Sequence, residues 1–223
     1  DDLVYAVGLR HARILNTEIA HTGEHGLWLN RGCTDNLVQR CELTDLGAGG
    51  VYIGEGGWNR RCYIPKDPGD LVARNTVANC FIHDATNVFH GSVGVWIGSS
   101  SYNTVSRNEI CDMDYMGVNV GWCWNYSDPS AHHNTIESNH IHHLPRRRLT
   151  DTAAVYTLGI SPGTVIRGNR IHDIYGYPHH AHTNGIYNDE GSAHILWQNN
   201  LVYNVSSAGY NLNHGRDLTV RNN

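Results

Sequence analysis

Ile136-Glu-Ser-Asn-His-Ile141 and Ile166-Arg-Gly-Asn-Arg-Ile171 are two copies of one phrase, and that phrase decides the fold. An apolar residue is followed three positions later by a small polar one, most often Asn. Copies start at Ile14, Val38, Val77, Val105, Ile136, Ile166, Trp197 and Val220. Their fourth residues are Thr17, Cys41, Cys80, Asn108, Asn139, Asn169, Asn200 and Asn223. Steps of 24, 39, 28, 31, 30, 31 and 23 residues separate the copies. A repeat of this period builds a solenoid, whose units bury their apolar faces only by stacking on one another.

Two further columns keep the same register. Ile19, Leu43, Ile82, Ile110, Ile141, Ile171 and Val202 lie two residues past the small polar position. A third phrase runs small-apolar-aromatic-apolar, as in Gly26-Leu-Trp-Leu29, Gly50-Val-Tyr-Ile53, Gly94-Val-Trp-Ile97, Ala154-Val-Tyr-Thr157 and Gly185-Ile-Tyr-Asn188. Alternation over so few residues has the period of a strand. No segment sustains apolar residues at helical spacing over three turns. The reading is all-β: a right-handed single-stranded parallel β-helix of about eight rungs, with loop insertions on one face. Asn108, Asn139, Asn169 and Asn200 should stack in one buried amide row, each satisfying the next.

Composition bounds the rest. The chain of 223 residues is expected to form one domain over 1–223. A formal charge of −5 and a pI near 6.3 argue against nucleic acid, whose binders carry a basic stripe. The basic run Arg146-Arg-Arg148 reads as a solvated turn or a sugar-carboxylate contact. No apolar run reaches membrane length. The chain opens on Asp1-Asp2 without Met and ends on Asn223, a ladder position, so it is expected to be a piece of a longer protein.

Six cysteines show no paired framework. Cys41 and Cys80 occupy ladder positions, which favours buried free thiols, with a disulfide between stacked rungs as the alternative. Cys33, Cys62, Cys111 and Cys123 lack the spacing of a zinc site. Among 16 histidines the densest cluster is His179-His180-x-His182, which has no acidic partner at a fixed offset. No metal and no cofactor are expected.

Chemistry should lie where units depart from the repeat. Insertions fall at 54–73, with Glu55, Trp58, Arg60 and Arg61, at 121–133, with Trp122 and Trp124, and at 173–184. The third phrase projects outward aromatics at Trp28, Tyr52, Trp96, Tyr156 and Tyr187, interrupted by Asn119. An exposed aromatic row on a flat sheet suits the apolar faces of sugar rings. Tyr156, Tyr187, His182, Trp122, Trp124, Trp96 and Glu55 are therefore the expected contacts to a polysaccharide or oligosaccharide, with His182 near the groove floor.

Most acids, such as Asp45, Asp84, Asp112 and Asp173, follow the Ile column and read as turn residues. Asp151, Asp189 and Glu190 are different because they flank the third phrase. Stacking should set Asp151 between Asp114 and His182, and a neighbouring carboxylate would raise its pKa. Glycosidic cleavage needs two carboxyl groups facing one bond, one protonated and one ionised. On straight strands Asp151 and Asp189 would stand about 23 Å apart, so a bend must bring them together.

The stretch from Asn139-His-Ile-His-His143 through Asp151-Thr-Ala-Ala-Val-Tyr-Thr-Leu-Gly159 to Gly185-Ile-Tyr-Asn-Asp-Glu-Gly191 resembles glycoside hydrolase family 141, as does Gly117-Val-Asn-Val-Gly-Trp-Cys-Trp124. Family 120 xylosidases share that architecture. The resemblance implies a secreted or periplasmic bacterial enzyme acting on fucose-containing pectin or on xylan, with a catalytic carboxylate pair at Asp151 and Asp189. This chain has Thr152-Ala153 where that family usually reads Gly-Gly, and Asn188 where it carries Leu or a similar residue. Two other classes share the fold. A lyase or epimerase would need a base such as Lys or Arg beside a calcium-binding acidic cluster, and Lys66 is the only lysine. A non-catalytic carbohydrate-binding module or tailspike-like adhesin would show no convergent acids.

Overall fold

The structure is a computed structural model and describes residues 1–56, 62–127, 131–146, 148–177 and 182–223. Among them, strands form two sheets of eight, one of seven and one minor pair, all parallel. The first sheet runs Val4–Ala6, Leu27–Leu29, Val51–Ile53, Val93–Ile97, Met116–Val120, Thr152–Thr157, Thr183–Asn188 and Tyr210–Leu212. The second runs from Arg13–Leu15 to Thr219–Arg221, and the third from Glu18–Thr22 to Leu201–Val205. Each rung visits the sheets in turn, which is a parallel β-helix. Among the described residues, no helix is long and apolar enough to cross a membrane.

All three sequence columns are ladder columns. Ile14, Val38, Val77, Val105, Ile136, Ile166, Trp197 and Val220 are successive partners in the second sheet. The Ile19-to-Val202 column does the same in the third. Apart from the exposed Val220, both point inward with Leu27, Val51, Val95, Val118, Val155 and Ile186 of the first sheet, and together they fill the apolar core. One strand escapes the sequence reading: Val4–Ala6 opens the first sheet by pairing with Leu27–Leu29.

The corners explain the remaining pattern. One residue in the left-handed conformation turns the chain before each ladder position, for example Arg107 at φ 54° and Ser138 at 57°. Asp45, Asp84, Asp112 and Asp173 turn the chain in the same way after the third sheet, at φ between 45° and 55°. The aspartates tolerate that region because a short polar side chain can bond locally. The small residue opening the third phrase is steric. A Cβ on Gly117 would stand 2.6 Å from Ile141 Cγ2, and one on Gly50 the same distance from Ile82 Cγ2.

The amide row is present. Asn108, Asn139 and Asn169 each hydrogen-bond the Oδ1 of the next asparagine through both backbone N–H and Nδ2, at 2.9–3.1 Å, and Asn200 continues to Asn223. A second row was not read from the sequence: Asn36, Asn75, Asn103 and Asn134 stack in the same way at the preceding corner. Cys41 and Cys80 are buried free thiols, donating to carbonyl groups of Ile14 and Gln39, and of Val38 and Ala78. Asn188, unusual beside a core of Ile and Val, donates to Thr157 Oγ1 at 2.7 Å, and Thr157 in turn meets Ser192 Oγ at 2.9 Å.

Candidate active site

The outer face of the first sheet carries one unbroken row across its strands: Tyr5, Trp28, Tyr52, Trp96, Asn119, Tyr156, Tyr187 and Asn211. Tyr52 stacks on Trp96 with centroids 4.9 Å apart, and Trp28 meets Tyr52 edge-on at 5.9 Å. Together with Glu55, Val93 and Trp122 they line an open cleft of about 290 Å³. Trp122 also stands 6.2 Å from the Tyr156 ring and 4.9 Å from Trp124, joining this cleft to the later rungs.

Part of the row is covered, contrary to the sequence expectation of exposed rings. Trp96, Tyr156 and Tyr187 keep only 7%, 4% and 5% of their surface in water. They pack into a second apolar cluster with Met116 and Leu158, against which Tyr115, Trp122 and Trp124 lie. Large rings on rungs this close bury one another. Asn119 interrupts them, fully buried, with Nδ2 on the Gly121 carbonyl and no protein partner for Oδ1.

Insertions frame this face from both edges. Those at 54–73 and 121–133 follow first-sheet strands, while 173–184 precedes one. Cys62 and Cys123 form a disulfide that ties the first two together, with Cα atoms 4.7 Å apart. Spacing along the chain does not reveal that pairing, because the link is between rungs. Trp58, Arg60, Arg61, Arg147, His179 and His180 lie outside the described residues.

Asp151 and Asp189 sit at opposite ends of neighbouring strands, since Thr152 pairs with Thr183 and Thr157 with Asn188. Asp151 is in the left-handed conformation, φ 56°, so the chain turns where it enters the strand. The Tyr156 hydroxyl donates to Asp189 Oδ2, and the Tyr187 hydroxyl lies near enough to Asp151 to help hold its carboxyl down. Asn213 Nδ2 donates to Asp189 Oδ1 at 2.6 Å. Asp189 is thus held by Tyr156 and Asn213, with Tyr187 and Asp151 in electrostatic reach.

Electrostatics couple the two acids. Asp151 is exposed as a residue, yet its carboxyl is raised above the ordinary value by partial desolvation first and by the charge of Asp189 second, against the Tyr187 hydroxyl and His182. Tyr115 is pushed up by burial and then by both carboxylates, so it lies within reach of each. Burial also raises Tyr156 and Tyr187, and the aspartates add to it. These phenols are donors at every ordinary pH.

Other expected residues fall elsewhere. His182 does neighbour Asp151, its carbonyl accepting the Thr152 amide at 2.9 Å, but it is exposed and sits on the rim, not the floor. Asp114 does not act on Asp151. It is fully buried in a separate knot, 2.8 Å from His90 Nδ1 and 3.1 Å from Arg146 Nε, with Arg148 at 3.7 Å. Arg146 is accordingly an internal clamp that also holds Asp84, rather than a solvated turn. Glu190 is half-buried and offers its carbonyl to the Gly159 amide. Glu55 belongs to the cleft. Tyr115 and Asn213 were missed. Carrying the strand register one residue past Leu212 would have found Asn213 beside Asp189.

Residues 4–147 match the family model described as Right handed beta helix region, and the chain belongs to that family. Its coil is a right-handed parallel β-helix. Among solved structures, one described as "Glycoside hydrolase" is 24% identical with a TM-score of 0.76, over 96% of this chain and 37% of its own. A Siphovirus 9NA tailspike receptor binding domain is 12% identical, TM-score 0.59, over 93% and 41%. The Azotobacter vinelandii mannuronan C-5 epimerase AlgE6 A-module is 14% identical, TM-score 0.56, over 99% and 58%. All three establish the fold, and this chain spans less than two thirds of each. A search of curated proteins finds no match.

Proposed function

We propose that this chain is the β-helix domain of a carbohydrate-active enzyme, a glycoside hydrolase of the family 141 kind that cleaves a xylan-type or fucose-containing pectic glycan. The observation that carries the reading is Asp189, held by Tyr156 and Asn213, with its charge helping to raise Asp151, on the sheet that also carries the aromatic cleft. In this reading the raised carboxyl of Asp151 is the general acid. It holds its proton at a pH where an ordinary aspartate has lost it, and delivers it to the glycosidic oxygen. Asp189, fixed by two donors, is the ionised partner that attacks the sugar or activates water. Trp28, Tyr52, Trp96 and Trp122 hold sugar rings in adjoining subsites.

The domain belongs to a longer protein working outside the cytoplasm, secreted or periplasmic, and the Cys62–Cys123 disulfide suits such a compartment. The fold likeness to a glycoside hydrolase supports this reading, while the tailspike and epimerase likenesses fit alternatives. A non-catalytic sugar-binding module is favoured by one observation: Asp189 is only 7% exposed. Incubating the protein with xylans and fucosylated pectic fragments separates the classes. A hydrolase releases new reducing ends without an unsaturated product, a lyase releases an unsaturated one, and a binding module retains the glycan uncut.

A further inference from the structure

The outer face of the third sheet, away from the aromatic cleft, gathers histidines that the proposed hydrolysis does not use. Glu109 pairs in register with His140, Cys111 with His142, and His142 with His172. Glu109 Oε1 lies 3.2 Å from His142 Nε2 and 3.9 Å from His140 Nδ1, and the three residues each offer a ligand atom within 4.8 Å of the others. Ligands at about 2.0–2.1 Å around a tetrahedral ion stand roughly 3.4 Å from one another. The two carboxylate-to-imidazole spacings bracket that value.

Hydrogen bonds around the group select the tautomer a metal requires. Asp173 Oδ2 lies 2.7 Å from His172 Nδ1, which places that ring's proton on Nδ1 and leaves Nε2 as an acceptor. His172 Nε2 in turn faces His140 Nε2 at 2.7 Å, so His140 donates there and keeps a bare lone pair on Nδ1, the nitrogen nearest Glu109. His142 Nδ1 meets His143 Nδ1 at 2.6 Å, leaving its Nε2 toward Glu109. Arg170, the strand partner of His140, is drawn onto the Tyr203 hydroxyl at 2.7 Å. A carboxylate orienting a ligand histidine from behind is the usual support of a metal site.

We propose that Glu109, His140 and His142 bind a divalent transition-metal ion of the zinc class, with Asp173 and His172 as positioning residues that hold His140 in its ligating tautomer. Two imidazoles and a carboxylate suit Zn²⁺, Ni²⁺ or Co²⁺ better than Ca²⁺ or Mg²⁺, whose ligands are oxygens. Three protein ligands leave one position for water. Bound there, the ion clips strand Glu109–Cys111 to strand His140–Leu144. The densest histidine cluster along the chain is a different one, at 179–182, because these five ligating and positioning residues come together only through stacking.

The test uses untagged protein stripped with chelator, titrated with zinc chloride by calorimetry and with cobalt chloride by visible spectroscopy. The expected result is one saturable equivalent of zinc and a tetrahedral cobalt spectrum. Glu109→Gln and His142→Ala should abolish both. Asp173→Asn, which removes no ligand, should weaken zinc by about 10–100-fold. His182→Ala should leave the titration unchanged, and circular dichroism should show each variant folded. Absence of a saturable equivalent, equal binding in the His140→Ala/His142→Ala double variant, or loss of binding in His182→Ala would overturn the proposal.

Discussion

Tyr156 gives its hydroxyl hydrogen to Asp189 from the neighbouring rung, while its ring is buried in an apolar cluster with Tyr187 and Leu158. Tyr187, the strand partner of Tyr156, lies in electrostatic reach of both Asp151 and Asp189. Aromatic side chains in this row therefore serve the carboxylates at one end and line a cleft at the other.

Asp151 should titrate differently once its neighbour is neutral. Replacing Asp189 by Asn removes the charge that helps raise the Asp151 carboxyl, so its midpoint should fall toward that of a free aspartate. Tyr187→Phe removes a hydroxyl that lowers it, so there the midpoint should rise. Carboxyl-carbon NMR through a pH titration measures both, and unchanged midpoints would dissolve the coupling.

The same shift has a stability consequence of definite sign. A raised carboxyl binds more protons folded than unfolded, so its contribution to stability declines as pH rises through its folded midpoint. Asp151→Asn should therefore melt at or above the wild-type temperature near neutral pH. The advantage should vanish below the ordinary aspartate pKa of about 3.9. Calorimetric scans at several pH values decide it; an Asn variant that is least stable at neutral pH contradicts the sign.

Burial of Tyr187 sets a cost for removing it. With 5% of its surface exposed and the ring against Tyr156 at 5.1 Å, Tyr187→Ala should lose about 3–5 kcal/mol. Tyr187→Phe keeps the packing and should lose far less. Urea melts of the pair check this, and a difference under about 1 kcal/mol would place the ring outside the cluster.

Asn139 has both a donor and an acceptor role inside the solenoid. Asn139→Leu leaves the Asn108 amides without an acceptor and should cost about 1–3 kcal/mol in urea unfolding. Asn103→Leu should behave alike in the second row, where it serves Asn75. Near-wild-type midpoints for both would show that the rows are not load carriers.

Most of the fold is legible in the sequence because a solenoid writes its register as a period. Val105 and Ile136 are partners in space for the same reason that they head the same phrase. The second asparagine row was also written, as Asn75-Thr-Val77, Asn103-Thr-Val105 and Asn134-Thr-Ile136. It lies two residues before the apolar position, whereas the first row lies three after it. The candidate site was half legible. Asp151 and Asp189 stand out as departures from the repeat, but whether Tyr156 and Tyr187 face water depends on loops that carry no period. The same holds for Asp114, whose partners Arg146 and His90 come from irregular segments. Periodic residues reveal their neighbours; inserted ones do not.

The pairing of Asp151 with Asp189 is tested most directly by turnover and binding measured on the same three proteins: wild type, Asp151→Asn and Asp189→Asn. With a glycan that the wild type cleaves, both variants should stay folded and retain binding within a few-fold. Each should release reducing ends about 10²–10⁴-fold more slowly. Near-normal turnover in either variant would contradict the account.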